Sequence, residues 1–126
     1  MLSEVRSRGL GIAVVCDSGF SLGRVLRQLF AGVGLFDLID VWAISDEVGA
    51  CKPSAAMFDR ALTGLAVDPA KALHVGDLWR TDVCGARAFG TRSARYTAAY
   101  DDPLPPCEAD ADLVIGAHHE LLAALL

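Results

Sequence analysis

No run of this 126-residue chain is apolar for long enough to cross a bilayer. The first apolar stretch, residues 10–16, is stopped by Asp17 and is too short for a leader's hydrophobic region. The closing apolar run, residues 120–126, is also far below a membrane span. The chain lacks an excess of basic charge as well. Eleven Lys and Arg stand scattered against sixteen Asp and Glu, a formal net charge of −5, and this leaves no footprint for nucleic acid. Its four cysteines, Cys16, Cys51, Cys84 and Cys107, are widely spaced with no C-x-x-C pair, which argues against a zinc cluster or a thioredoxin-type redox motif. Internal repeats and low-complexity tracts are missing too. Together these absences lead us to expect a soluble, cytoplasmic chain with reduced thiols and with neither membrane nor nucleic acid as a partner.

What is present suits one compact domain. A hydrophobic content of 53% beside 21% charged residues is enough for a single core, and a chain of this size buries roughly two thirds of its unfolded surface. Residues 11–16 form a continuous, β-branched apolar run, as expected of a strand covered on both faces in a parallel sheet. A turn follows at Asp17, Ser18 and Gly19. Ser21 then reads as the N-cap of an amphipathic helix carrying Val25, Leu26, Leu29 and Phe30 and ending near Gly32 and Gly34. Further strands are expected at residues 41–44, 72–75, 92–96 and 113–115. Helices are expected from Pro53 onward, over residues 81–89, and from His118-His119 to the end, with an irregular proline-containing loop over residues 100–111. Strand and helix in alternation predict an α/β fold, a three-layer Rossmann-like parallel sheet.

In such sheets ligands gather at the carboxyl ends of the strands. The polar residues expected there are Cys16, Asp17 and Ser18 after the first strand, Asp46, Glu47 and Lys52 after the second, and Asp77 and Asp82 after the third. The set combines a hydroxyl and backbone amides suited to phosphate oxygens, a lysine as a compact cation, and paired acids suited to a hard divalent ion.

Lys52-Pro53, then Val75-Gly76-Asp77, Asp82 and Gly85-Ala86, resembles motifs three and four of the haloacid dehalogenase-like (HAD) hydrolase superfamily, and the stretch from Cys16 through Ser18 to Phe20 is similar to motif two. The resemblance extends through Glu47-Val48-Gly49 and through Ala109 to Asp112. Three motifs in the right order, with a 25-position gap from lysine to aspartate (77 − 52), make it specific. The resemblance implies a hydrolase, most commonly a Mg2+-dependent phosphatase, that acts on a small phosphorylated molecule through an aspartyl-phosphate. Dehalogenase and phosphomutase chemistries remain open. It implies that Lys52, Asp77 and Asp82 are catalytic, with Asp77 and Asp82 forming the metal site, Asp77 as ligand and Asp82 in support. It also implies that Cys16, Asp17, Ser18 and Lys52 bind phosphate. Cys16 stands where the family places Ser or Thr, so Ser18 is the other candidate for that role.

Motif one, the Asp-x-Asp strand that supplies the attacking carboxylate, has no counterpart here. The acids Asp110 and Asp112 precede an apolar strand and belong at the opposite end of the sheet. Residues 1–126 are therefore expected to be a single partial HAD-like core domain lacking the central motif-one strand, with residues 1–9 the remnant of a linker helix from a missing cap. Such a truncated fragment, or mis-called start, is expected to be inactive by itself. A missing amino-terminal half or a second chain would complete it, and the alternative is a non-catalytic HAD-fold binding or assembly module. A receiver-like phosphoacceptor domain is disfavoured because Lys52 precedes Asp77. His74 reads as a packed core histidine, and His118 and His119 as a helix start without metal partners. Trp79 and Arg80 read either as facing substrate or cap, or simply as exposed loop residues.

Overall fold

The computed structural model describes residues 1–103 and 109–125. It divides into two compact units, Leu2–Val67 and Asp68–Leu126 together with Met1. Part of the expected 100–111 loop, including Pro105, Pro106 and Cys107, lies outside the described residues.

The amino-terminal unit runs α1 (Leu2–Ser7), β1 (Ala13–Cys16), α2 (Gly23–Gly32), a 3-10 turn at Phe36–Leu38, β2 (Val41–Ile44), α3 (Ser45–Val48) and α4 (Ala55–Leu65). β1 and β2 pair in parallel, from Ala13 opposite Val41 to Cys16 opposite Ile44. β1 begins two residues later than its apolar run suggests. Its lead-in is tied to Asp40 at both Ile12 groups: Ile12 N–H donates to Asp40 Oδ2 at 2.8 Å, and Ile12 O accepts from Asp40 N–H at 2.8 Å. Asp40 also pairs with Arg6 of α1. The core holds Ala43, Ile44, Met57, Phe58 and Ala61, all buried. α4 can lie close to β2 because Gly64 has no Cβ; one there would sit 2.7 Å from Val41 Cγ1. Trp42 receives Phe30 edge-on at 5.0 Å and stacks with Phe36 at 5.8 Å.

Both helix starts in this unit differ from the sequence expectation. The α2 N-cap is Leu22, without a side-chain bond, while Gly23 N–H donates to Asp46 Oδ2 at 3.0 Å. The cap thus comes from a residue 23 positions away, as local sequence reading does not anticipate. The second helix begins past Lys52-Pro53, whose peptide bond is cis, and Ser54 is its N-cap, accepting from Ala56 N–H at 3.4 Å.

The carboxyl-terminal unit contains a 3-10 turn at Pro69–Lys71, β3 (Leu73–Gly76), a π-helical turn at Trp79–Val83, α5 (Cys84–Phe89), β4 (Arg92–Tyr96), β5 (Leu113–Ile115) and α6 (His118–Ala124). Its three strands form a parallel sheet in the order β3, β4, β5. Ala94, Ile115 and Leu121 form its core cluster, against which Leu73, Tyr96, Leu113 and Leu125 pack. Asp112 Oδ2 accepts from Ser93 N–H at 2.8 Å, joining the lead into β5 to β4. The expected helix over residues 81–89 is therefore a π-turn followed by a short α-helix. Cys84 is disulfide-bonded, which corrects the expectation that all thiols are reduced, whereas Cys16 and Cys51 are free. Among the described residues, no helix is long and apolar enough to cross a membrane.

Candidate phosphate and cation site residues

In the amino-terminal unit the predicted phosphate residues converge across a wide sequence gap. Asp17, just past β1, accepts through Oδ1 from the Lys52 backbone N–H at 2.9 Å, which brings the lysine's turn to the end of that strand. The side chains share an electrostatic neighbourhood as well. Burial pushes the Cys16 thiol pKa up, the Lys52 cation pulls it down, the Asp17 carboxylate adds to the rise, and the net effect is upward. Ser18 N–H donates to Ser45 Oγ at 2.8 Å, and the two hydroxyls lie 3.1 Å apart. Cys16, Asp17, Ser18 and the Lys52 backbone are thus gathered at one strand end, with Ser45 adding a second hydroxyl.

Ser45 is the member of this group that the sequence reading missed. Its signal in the chain is its position directly after β2, beside Asp46 and Glu47. Those two acids do other work. Asp46 caps α2, where a carboxylate is favoured by the helix dipole. Glu47 accepts from Arg27 Nη2 at 2.8 Å, and that bond holds the Glu47 carboxyl below its ordinary pKa.

In the carboxyl-terminal unit, β3 ends at Gly76 and Asp77 follows it half-buried, with no hydrogen bond reaching its carboxylate from the described residues. Asp82 is different. It is only 3% exposed, its Oδ1 lies 2.8 Å from His74 Nε2, and its Oδ2 accepts from Leu78 N–H at 3.1 Å. A Cβ on Gly76 would fall 2.1 Å from Asp82 Cγ, so the glycine is what lets this carboxylate lie against the strand end. The π-turn, a geometry common at functional sites, carries Asp82 back to that position, with both Asp82 N–H and Val83 N–H donating to Leu78 O at 3.0 and 3.2 Å.

Trp79 anchors the same turn. It is buried, not exposed. Its N–H donates to Asp102 Oδ2 at 2.9 Å and its indole Nε1 donates to Asp102 O at 2.9 Å. The Arg95 guanidinium lies 4.2 Å from the centre of its ring, and Arg95 in turn pairs with Asp101 at 2.6 Å and Asp110 at 3.1 Å. Burial pushes the Asp110 carboxyl up, but the Arg95 hydrogen bonds, the Ala111 N–H and the charges of Arg95 and Arg87 together hold the group below its usual range. Asp110 is thus spent on structure. His118 stacks on Tyr96 at 4.5 Å, a packing role for the start of α6.

Among the described residues, no three His, Cys, Asp or Glu come together in a way that could hold a metal ion. The donors fit a different arrangement. Asp77 offers an uncommitted carboxylate, and Mg2+ is commonly held by one or two carboxylates, with water and substrate phosphate completing its shell.

A sequence model of the haloacid dehalogenase-like hydrolases matches residues 1–90. The chain belongs to this family. Among its relatives, haloacid dehalogenase-like hydrolase domain-containing protein 3 of Bos taurus is 39% identical over 110 residues, 87% of this chain and 41% of that protein. The phosphoserine phosphatase of Thermus thermophilus is 34% identical over 125 residues, 98% of this chain and 47% of that enzyme. The crystal structure of a HAD phosphatase from Thermococcus onnurineus superposes with a TM-score of 0.83 at 29% identity, covering 98% of this chain and 54% of that one. The chain therefore spans about half the length of the HAD proteins it matches.

Proposed function

We infer that this chain is the phosphate- and cation-binding portion of a Mg2+-dependent phosphatase that acts on a small phosphorylated molecule through an aspartyl-phosphate. The observation that carries the reading is the tie from Asp17 to the Lys52 backbone, which brings the lysine's turn to the end of β1, where its cation acts on the Cys16 thiol. A compact ammonium there opposes the charge of phosphoryl oxygens, and fixed amides and hydroxyls stabilise it where water would have to reorganise. In this reading residues 16–18 bind the phosphoryl oxygens and Ser18 supplies the hydroxyl. Asp77 holds the ion and Asp82 keeps the loop that carries Asp77 in shape. The ion, when bound, neutralises phosphate charge as a Lewis acid. The phosphoserine phosphatase among the relatives supports phosphate over haloacid as the substrate class.

The attacking carboxylate is not assigned to this chain. Asp17 and Asp46 are engaged on backbone N–H groups, Glu47 on Arg27, and Asp110 on Arg95. The reading therefore treats residues 1–126 as one partial core domain, inactive by itself and completed by an amino-terminal half or a second chain, with residues 1–9 the end of a linker helix. The helical conformation of Leu2–Ser7 supports that last element.

The test is Mg2+-dependent hydrolysis of p-nitrophenyl phosphate. None is expected from the chain alone. Activity is expected once an amino-terminal segment bearing an Asp-x-Asp strand is supplied, and Lys52→Ala or Asp77→Asn should abolish it. Hydrolysis by the chain alone, abolished by Asp77→Asn, would overturn the inactivity. No gain on supplementation, with inorganic phosphate binding unchanged by Lys52→Ala, would leave the non-catalytic module as the reading.

A further inference from the structure

A carboxylate as buried as Asp82 is tolerated only where hydrogen bonds replace water. Two of the hydrogen bonds it receives link the strand to the loop beyond it. His74 sits on β3, two residues before Gly76, and Leu78 is the residue directly after Asp77. Oδ1 faces the imidazole and Oδ2 faces the Leu78 amide, so one carboxylate spans the backbone on which Asp77 is mounted. With the carboxylate ionised, His74 Nε2–H is the donor. The carboxylate's rotamer is thus set from one side by the ring and from the other by the bare Cα of Gly76. An apolar side chain of the same size at position 74 would fill the same space and leave a buried carboxylate with one donor fewer.

We propose that His74 is a positioning residue: its ring N–H fixes the rotamer of Asp82, and Asp82, through the Leu78 amide, fixes the backbone that presents the Asp77 carboxylate. The consequence for ion binding rests on the assignment of Asp77 as the cation-binding carboxylate. The consequence for the loop stands on the two hydrogen bonds alone.

Amide hydrogen exchange at Leu78 and Mn2+ affinity, measured on the same chain, separate the two. His74→Phe keeps the ring's bulk and removes the donor. It should speed Leu78 exchange about tenfold relative to the Ala94 and Arg95 amides of β4 and weaken Mn2+ binding roughly 10- to 100-fold. His74→Gln, whose Nε2–H reaches to about the same place, should restore both, a rescue that a purely space-filling role would not give. Unchanged Leu78 exchange in His74→Phe, or a Gln variant no better than Phe, overturns the proposal. If His74→Phe loses protection throughout β4, the Gln variant decides alone: retained Leu78 protection supports the proposal and lost protection sinks it. Should the wild-type chain bind no Mn2+, the cation assignment of Asp77 fails, and Leu78 exchange still decides the role of His74.

Discussion

Replacing Gly76 by alanine tests whether the strand end is built around Asp82. The glycine is not needed for a left-handed turn, because it is not among the glycines with positive φ. It is needed for closeness. The added methyl would stand 2.1 Å from Asp82 Cγ, 2.5 Å from its Cβ and 2.5 Å from Oδ2, all shorter than real contacts. The strand cannot shift cheaply to relieve this, since Gly76 is paired with Arg95 in the β3–β4 ladder. Asp82 must therefore swing away, and it gives up its bonds to His74 and Leu78 N–H in a buried setting. Hydrogen bonds to a charged group are worth about 1.5–3 kcal/mol each, so with partial relaxation the loss is roughly 3–5 kcal/mol. Against the ~5–15 kcal/mol of a typical domain this is severe. With a urea slope of about 1–3 kcal/mol/M, the unfolding midpoint should fall by roughly 1–5 M. Gly32→Ala is the control: nothing lies within 4 Å of its Cβ position at the end of α2, and it should hold or slightly raise stability. A Gly76→Ala midpoint within ~0.3 M of wild type would refute the argument, because Asp82 could then leave its place at no cost.

Two further outcomes follow from the electrostatics. The Ile12 N–H and Arg6 hold the Asp40 carboxyl below its ordinary 3.8, and Arg27 holds Glu47 below 4.5. Groups with depressed folded pKa values add stability that is complete above those ordinary values and is lost as pH falls through the folded ones. Urea midpoints should thus be level above about pH 5 and decline below it, and Asp40→Asn should flatten part of that decline; an unchanged slope in the variant would remove Asp40 from the account. In thiol labelling at mildly alkaline pH, followed by mass spectrometry, exposed Cys51 should react well before Cys16, which is half-buried and whose thiol pKa is pushed up by that burial. Faster labelling of Cys16 would contradict this.

Local pattern was enough to locate most of the elements. The strands at Val41–Ile44, Arg92–Tyr96 and Leu113–Ile115 lie where short β-branched and apolar runs between turn residues predict them. The candidate residues at strand ends were legible for the same reason, since an α/β chain places polar residues where each strand gives way to a loop. Helix starts were less legible. The cap of α2 comes from Asp46, and the turn over Trp79–Val83 adopts π geometry with Trp79 held by Asp102, 23 positions on. Interactions across such distances leave no local trace in the chain.

Periodicity and motif order are properties of neighbouring residues, and they suffice for the α/β class, the parallel strands and the family. Which of those residues are committed emerges from the folded chain. It placed Asp17 on the Lys52 backbone, brought Ser45 to Ser18, spent Asp46 and Asp110 on structure, and turned His74 from a packed strand residue into a partner of Asp82. The physical reason is that a polar group removed from water must find its partner in space, and that partner is chosen by the fold rather than by the order of the chain.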